Sequence, residues 1–288
     1  MSEKLVFKTP CCFDGKDFGC ASFGFADAPD PAAEGMREFH SGISGKIFTG
    51  RLDDVLKEIP AEAENGNWKA GIVLFGNCGG ENIFIRKLSD KVGCPLAGGA
   101  AACDPVSGTS GLIFGGSQAA VFMIDDPDAE VTAEGKNIHG NLLGIHRIGF
   151  TDPRVLDTID GEDALTWYTA KRAEYGFGEN DFEHMTFSDP YNINAHMSVA
   201  DGRLVSGRDL CEEMTLRYVN PGDVYPQMKA FYDDPDAVVF GCAGLKGILE
   251  QDIMTSGTGL FMFGEVVTLN GISEFGNLML SKLIIKKA

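Results

Sequence analysis

Six short apolar runs, several of them bounded by glycine, set the limits on what this chain can fold into. They are 71–76 (GIVLFG), 111–114 (GLIF), 119–124 (AAVFMI), 237–241 (AVVFG), 259–267 (GLFMFGEVV) and 278–285 (LMLSKLII). Each is shorter than an ordinary helix, and several are apolar at successive positions, so both faces of an extended chain must be covered. Strands of that kind need a layer on either side, which makes an α/β or mixed α+β architecture the expectation. The segment 194–206 adds a hairpin, because Asp201 and Gly202 supply the positive-φ pair of a tight turn. Helices are expected over 161–175, where Leu165, Tyr168 and Arg172 recur before Gly176, over 82–92, where Phe84, Leu88 and Val92 precede Gly93, and over 52–59.

Taken in order, these elements read as one unit used twice. The first runs strand GIVLFGN, glycine turn, helix, PLAGGAA and AAVFMI. The second runs AVVFG, the turn CAG, a helix near 245–253, GLFMFGEVV and LMLSKLII. An internal duplication predicts two similar lobes of buried β-sheet flanked by helices, residues 1–155 and 156–288, with a small-molecule cleft between them. The boundary is placed in the polar, glycine-broken sequence that follows the acidic stretch 125–134.

Charge excludes one class of partner. The chain has 288 residues, with 24 Lys and Arg against 42 Asp and Glu, a net charge of −18. A nucleic-acid backbone would be repelled over most of that surface. The longest nearly apolar run, 111–124, falls short of the roughly 20 residues of a membrane span, and the first ten residues have no apolar core. A cytoplasmic protein with no membrane partner is the expectation. The 8 cysteines include no C-x-x-C and are expected to be reduced thiols. Cys11, Cys12 and Cys20 make a poor tetrahedral set, and His139 and His146 read as unrelated, so neither metal nor cofactor is expected.

The two strand-to-helix turns carry the chemistry. Backbone N–H groups around Asn77, Cys78 and Gly79, and around Cys242, Ala243 and Gly244, would hold the negative end of a ligand, with Lys246 as a nearby cation. Neither turn is a phosphate loop, and no G-x-G-x-x-G occurs. Cys78 or Cys242, near a helix start, would have a lowered thiol pKa, which gives the alternative of a thiol-dependent hydrolase or transferase. Its base would be His184 or His196, brought there only by folding. Glu265 interrupts apolar sequence just after Gly264, where a carboxylate is costly unless donors or a cation meet it. Asn277 stands before the last apolar run and offers both a donor and an acceptor.

The run VVFGCAGLKGILE, followed by GTGLFMFGEVVTLNGISEFGN and a final apolar strand, resembles the carboxyl-terminal part of FIST-domain proteins. The match falls on Cys242, Ala243, Gly244, Gly259, Gly264, Glu265 and Asn277. GIVLFGNCGG with CPLAGGAAACDPVSG is similar to the amino-terminal FIST region, and brings Gly98 and Gly99 into the ligand-binding set. The resemblance covers roughly residues 20–286. It implies a sensory domain of intracellular signalling that binds a small polar metabolite, an amino acid or organic acid. Such a domain acts through a protein partner or through its own homo-oligomer, and is not an established enzyme. Two positions depart from the family: Leu245 stands where Arg is usual, and Gly276 where His is usual. The missing guanidinium removes a planar clamp for a carboxylate.

Overall fold

The structure, a computed structural model, describes residues 3–10, 22–25, 36–64, 66–76, 80–100, 118–178, 181–247 and 258–287. Its centre is a pair of stacked sheets. The larger has eight strands in the order Ser22–Phe25, Glu3–Pro10, Met36–Gly50, Ala119–Ile124, Ala70–Phe75, Leu96–Ala100, Glu265–Leu269 and Ile272–Gly276. The smaller has four, in the order Thr258–Met262, Ala237–Cys242, Met279–Lys287 and Ala129–Asn137.

The doubly apolar runs explain the stacking. Side chains alternate along a strand, so Ile72 and Leu74 point inward and join Val238, Phe240, Leu283 and Ile285 in one core between the sheets. Val73 and Phe75 point the other way, onto Phe84, Ile85 and Leu88 of helix Glu81–Val92 and Val55 of helix Leu52–Glu58. On the far side, Val239 and Leu280 meet Val224, Met228 and Tyr232 of helix Pro221–Tyr232. The result is a four-layer mixed α+β arrangement of helices, sheet, sheet and helix. Each large core side chain contributes about 1.5–3 kcal/mol by leaving water.

Two strand exchanges tie the halves of the chain together. Ala129–Asn137 runs beside Met279–Lys287 in the smaller sheet, and the hairpin 265–276 closes the edge of the larger one. Strand Ala70–Phe75 lies parallel to Leu96–Ala100 and antiparallel to Ala119–Ile124. Strand Ala237–Cys242 has the same kinds of neighbour, parallel to Thr258–Met262 and antiparallel to Met279–Lys287.

Between Ala129–Asn137 and helix Pro221–Tyr232 the chain builds a further body. A six-stranded sheet includes Asn141–Gly149, Glu213–Tyr218, Met185–Ser188 and Asn194–Ala195. A three-stranded one holds Met197–Ala200, Arg203–Ser206 and Val155–Leu156. Helix Ala164–Glu174 is capped by the Asp163 carboxylate on the Thr166 N–H at 2.9 Å, and its Tyr168 packs on Phe187.

The expected hairpin forms, with Asp201 at φ 50° and Gly202 at φ 71° between paired Ala200 and Arg203. Three of the four expected helices form over Leu52–Glu58, Glu81–Val92 and Ala164–Glu174; of the fourth, near 245–253, residues 245–247 belong to helix Ala243–Gly247 and the rest lie outside the described residues. The polar stretch after 125 holds the strands Ala129–Asn137 and Asn141–Gly149, whose half-exposed faces leave few apolar residues to mark them. Helix Pro221–Tyr232 was not expected, because Pro226 lies inside it. The 111–114 run lies outside the described residues. No helix of the described residues is long and apolar enough to cross a membrane.

Candidate functional site

The run 259–267, expected to be one strand, leaves one sheet and enters the other at Gly264. Thr258–Met262 pairs with Ala237–Cys242, and Glu265–Leu269 with Leu96–Ala100. Gly264 has φ 106°, open to glycine and strained for other residues, and a Cβ there would meet the Phe275 ring. Gly98 has φ 135°, and a Cβ on it would overlap the Val73 carbonyl oxygen; one on Gly99 would overlap that of Gly264. The crossing is fixed by Phe263 N–H to Ala100 O and Ala100 N–H to Gly264 O, both 2.9 Å. Gly98 and Gly99 therefore admit backbone, and through it they position Glu265.

Glu265 is the first residue of its strand and is 0% exposed. Its Oε2 accepts a hydrogen bond from the Met279 N–H at 3.2 Å. Its Oε1 is buried and has no hydrogen-bond partner in the structure. Burial pushes the carboxyl well above the usual range, against the pull of Met279, the Cys242 thiol and the Glu265 and Gly264 backbone. The expected ionised acid is thus driven toward its neutral form.

Cys242 ends the strand Ala237–Cys242, directly before the short helix Ala243–Gly247, and its thiol faces the Glu265 carboxyl. The expected lowering of its pKa does not occur. Burial first, and then the Glu265 charge, push the thiol well up, and the Leu278 and Gly244 backbone only partly oppose them. Tyr232, whose hydroxyl reaches the Phe240 carbonyl at 3.5 Å, is raised by burial and by these same two groups. Three neighbouring groups are all biased toward keeping their protons.

Asn277 is buried, donates its N–H to the Asn194 carbonyl at 3.0 Å, and accepts from the His196 N–H on Oδ1 at 3.4 Å. Glycine makes room on both sides: a Cβ on Gly207 would stand 2.6 Å from Oδ1, and one on Gly264 2.9 Å from Nδ2. His196 also places its Nε2 3.7 Å from the Glu183 carboxylate. A Cβ on Gly244 would lie 3.4 Å from Cγ of Glu183 and 3.7 Å from Sγ of Cys242, so the Glu183–His196 pair stands at the same corner as the thiol. Burial works to raise the Glu183 carboxyl, but His196 and His184 outweigh it and leave it lowered.

No protein-family model matches the chain, and no curated protein does.

Folding brings Cys242, Gly244, Glu265 and Asn277 together, with Gly98 and Gly99 behind them. Ala243 is half-buried, and the Lys246 backbone lies in helix Ala243–Gly247. Asn77, Cys78 and Gly79 lie outside the described residues. Sequence reasoning missed Glu183 altogether. Nothing in its local sequence marks it, since its position depends on the short 3-10 turn Phe182–His184 meeting a distant strand end. His184 is buried beside Phe177, with its pKa lowered by burial, while His196 meets Asn277 through its backbone N–H.

Proposed function

We propose that this chain is a small-molecule-binding sensory module of FIST type, taking a small polar metabolite, an amino acid or organic acid, at the Cys242–Glu265–Asn277 corner. The observation that carries the reading is Glu265 Oε1, a carboxyl oxygen sealed from water that makes no hydrogen bond among the described residues, although the Cys242 thiol faces the same carboxyl. A buried polar atom left in that state costs about 1–3 kcal/mol, and an arriving ammonium or hydroxyl recovers it. An ammonium would also restore the carboxylate charge, since a nearby cation favours the ionised form. Asn277 fixes orientation, and the N–H groups of Cys242–Gly244 hold the negative end.

The order of motifs shared with FIST domains supports this reading, as does the repeated strand pairing around Ala70–Phe75 and Ala237–Cys242, which fits an internal duplication of two lobes, 1–155 and 156–288, with exchanged strands. The module is read as cytoplasmic, signalling through a protein partner or its own assembly. The alternative, a thiol-dependent hydrolase or transferase, asks Cys242 to ionise, and its setting opposes that.

A dye-based melting screen over amino acids and organic acids tests the proposal. A ligand at 100 times its Kd stabilises the fold by about 2.7 kcal/mol. A hit should disappear in Glu265→Gln and weaken in Asn277→Ala. A hit that survives both, or a screen with none, would overturn the proposal.

A further inference from the structure

A half-open groove of about 480 Å³ lies between helix Glu81–Val92 and the loops at 189–191 and 208–211, with none of Cys242, Glu265 or Asn277 in its lining. Three of its lining residues, Asp189, Arg208 and Arg86, are tied into an ionic chain through the buried Glu274, which lies outside the lining. Asp189 holds Arg208 at 3.1 Å, Arg208 Nη2 stands 3.9 Å from Glu274 Oε2, and Glu274 Oε1 meets Arg86 Nε at 2.6 Å.

That chain leaves polar atoms unserved. Among the described residues, Asn82 Oδ1, Arg208 Nε and Glu274 Oε2 are buried without a hydrogen-bond partner, two acceptors and one donor. The Arg208 and Glu274 side chains are 3% and 2% exposed. At 3.9 Å they attract each other without forming a hydrogen bond, so a group that both donates and accepts would satisfy both. Arg86, Lys87 and Arg208 in the lining are matched by Asp90, Asp189 and Asp209, and the buried Glu274 adds one further carboxylate, so there is no excess of positive charge to select an anion. Above them Tyr191 and Ile83 are 51% and 55% exposed, an aromatic and an aliphatic face with no cover.

A hydroxyl is the common group that gives and takes a hydrogen bond while carrying no charge. We propose that this groove binds a neutral cyclic polyol such as a monosaccharide, with vicinal hydroxyls over Asn82 and Arg208 and its C–H face against Tyr191. The site is separate from the Glu265 corner and does not depend on its function.

Saturation-transfer NMR on the full chain with D-glucose, D-ribose and myo-inositol tests it. At least one of the three should receive saturation from the protein. Tyr191→Ala, a change at a half-exposed side chain, should weaken that ligand about tenfold through loss of the aromatic contact, while Tyr191→Phe restores it. Glu265→Gln should leave it unchanged, which separates this site from the other. Three outcomes would overturn the proposal: none of the three molecules binding at millimolar concentration, binding that is indifferent to Tyr191→Ala, or citrate binding instead and depending on Lys87.

Discussion

The Cys242 thiol faces the Glu265 carboxyl at a fully buried corner, and each is pushed toward its protonated form by burial. The first residue ends a strand of the smaller sheet and the second begins a strand of the larger, so the pair marks where the two sheets meet.

Alkylation should follow burial. Cys242 and Cys94 are both buried, and burial pushes the Cys94 thiol up to about 12. Cys211 is partly exposed and raised less. Iodoacetamide near neutral pH should therefore label Cys211 before Cys94 and Cys242, as read by peptide mass spectrometry. Rapid labelling of Cys242 in the folded protein would instead revive the thiol-enzyme reading.

Glu265 should make stability fall as pH rises. Its folded pKa is raised, so its contribution is complete below the unfolded value of about 4.3 and is lost as pH climbs toward the folded value. Glu265→Gln can keep the acceptor for Met279 and carries no charge. The variant should gain stability relative to the native chain with increasing pH, followed as Tm in a pH series. A difference that narrows instead would show that the carboxyl is ionised in the fold.

His139 acts in the opposite direction. Its Nε2 lies 2.7 Å from the Glu183 carbonyl and its Nδ1 3.1 Å from Asn194 Nδ2, an arrangement that suits the neutral ring, and burial lowers its pKa to about 4. A lowered folded value means stability present above the ordinary pKa of 6.5 and lost as pH falls toward 4. The loss should be on the order of 3 kcal/mol, measured by urea unfolding. His139→Gln should flatten that part of the profile.

Gly98→Ala should destabilise by about 3 kcal/mol or more, since overpacking and a left-handed φ both oppose it. Gly202→Ala is the control: its φ is also positive but nothing lies within 4 Å, so the cost should be about 1 kcal/mol. Equal losses in denaturant melts would remove the close approach of backbone at Gly98 as the reason for glycine there.

Much of the central fold was legible because a strand buried on both faces has no polar position, and such runs stand out in any reading. Other strands were harder. Ala129–Asn137 of the smaller sheet alternates half-buried with exposed positions, Glu213–Tyr218 of the inserted body buries only Met214 and Leu216, and their charges disguise them. The unbroken run 259–267 concealed a change of sheet, because a positive φ at one glycine leaves no trace in hydropathy.

By itself, then, the sequence determined the layers, the Asp201–Gly202 turn, three helices, and the oddity of an acid at 265 and an amide at 277. Those are local matters, settled by periodicity, turn chemistry and the cost of burying a charge. Only the tertiary structure decided that Glu265 faces Cys242, that Glu183 and His196 stand beside them, and that Asn82 and Arg208 share a groove with Glu274 buried next to Arg208. Such pairings join residues up to nearly two hundred positions apart, and they arise from how sheets stack and exchange strands, which no short window of residues encodes.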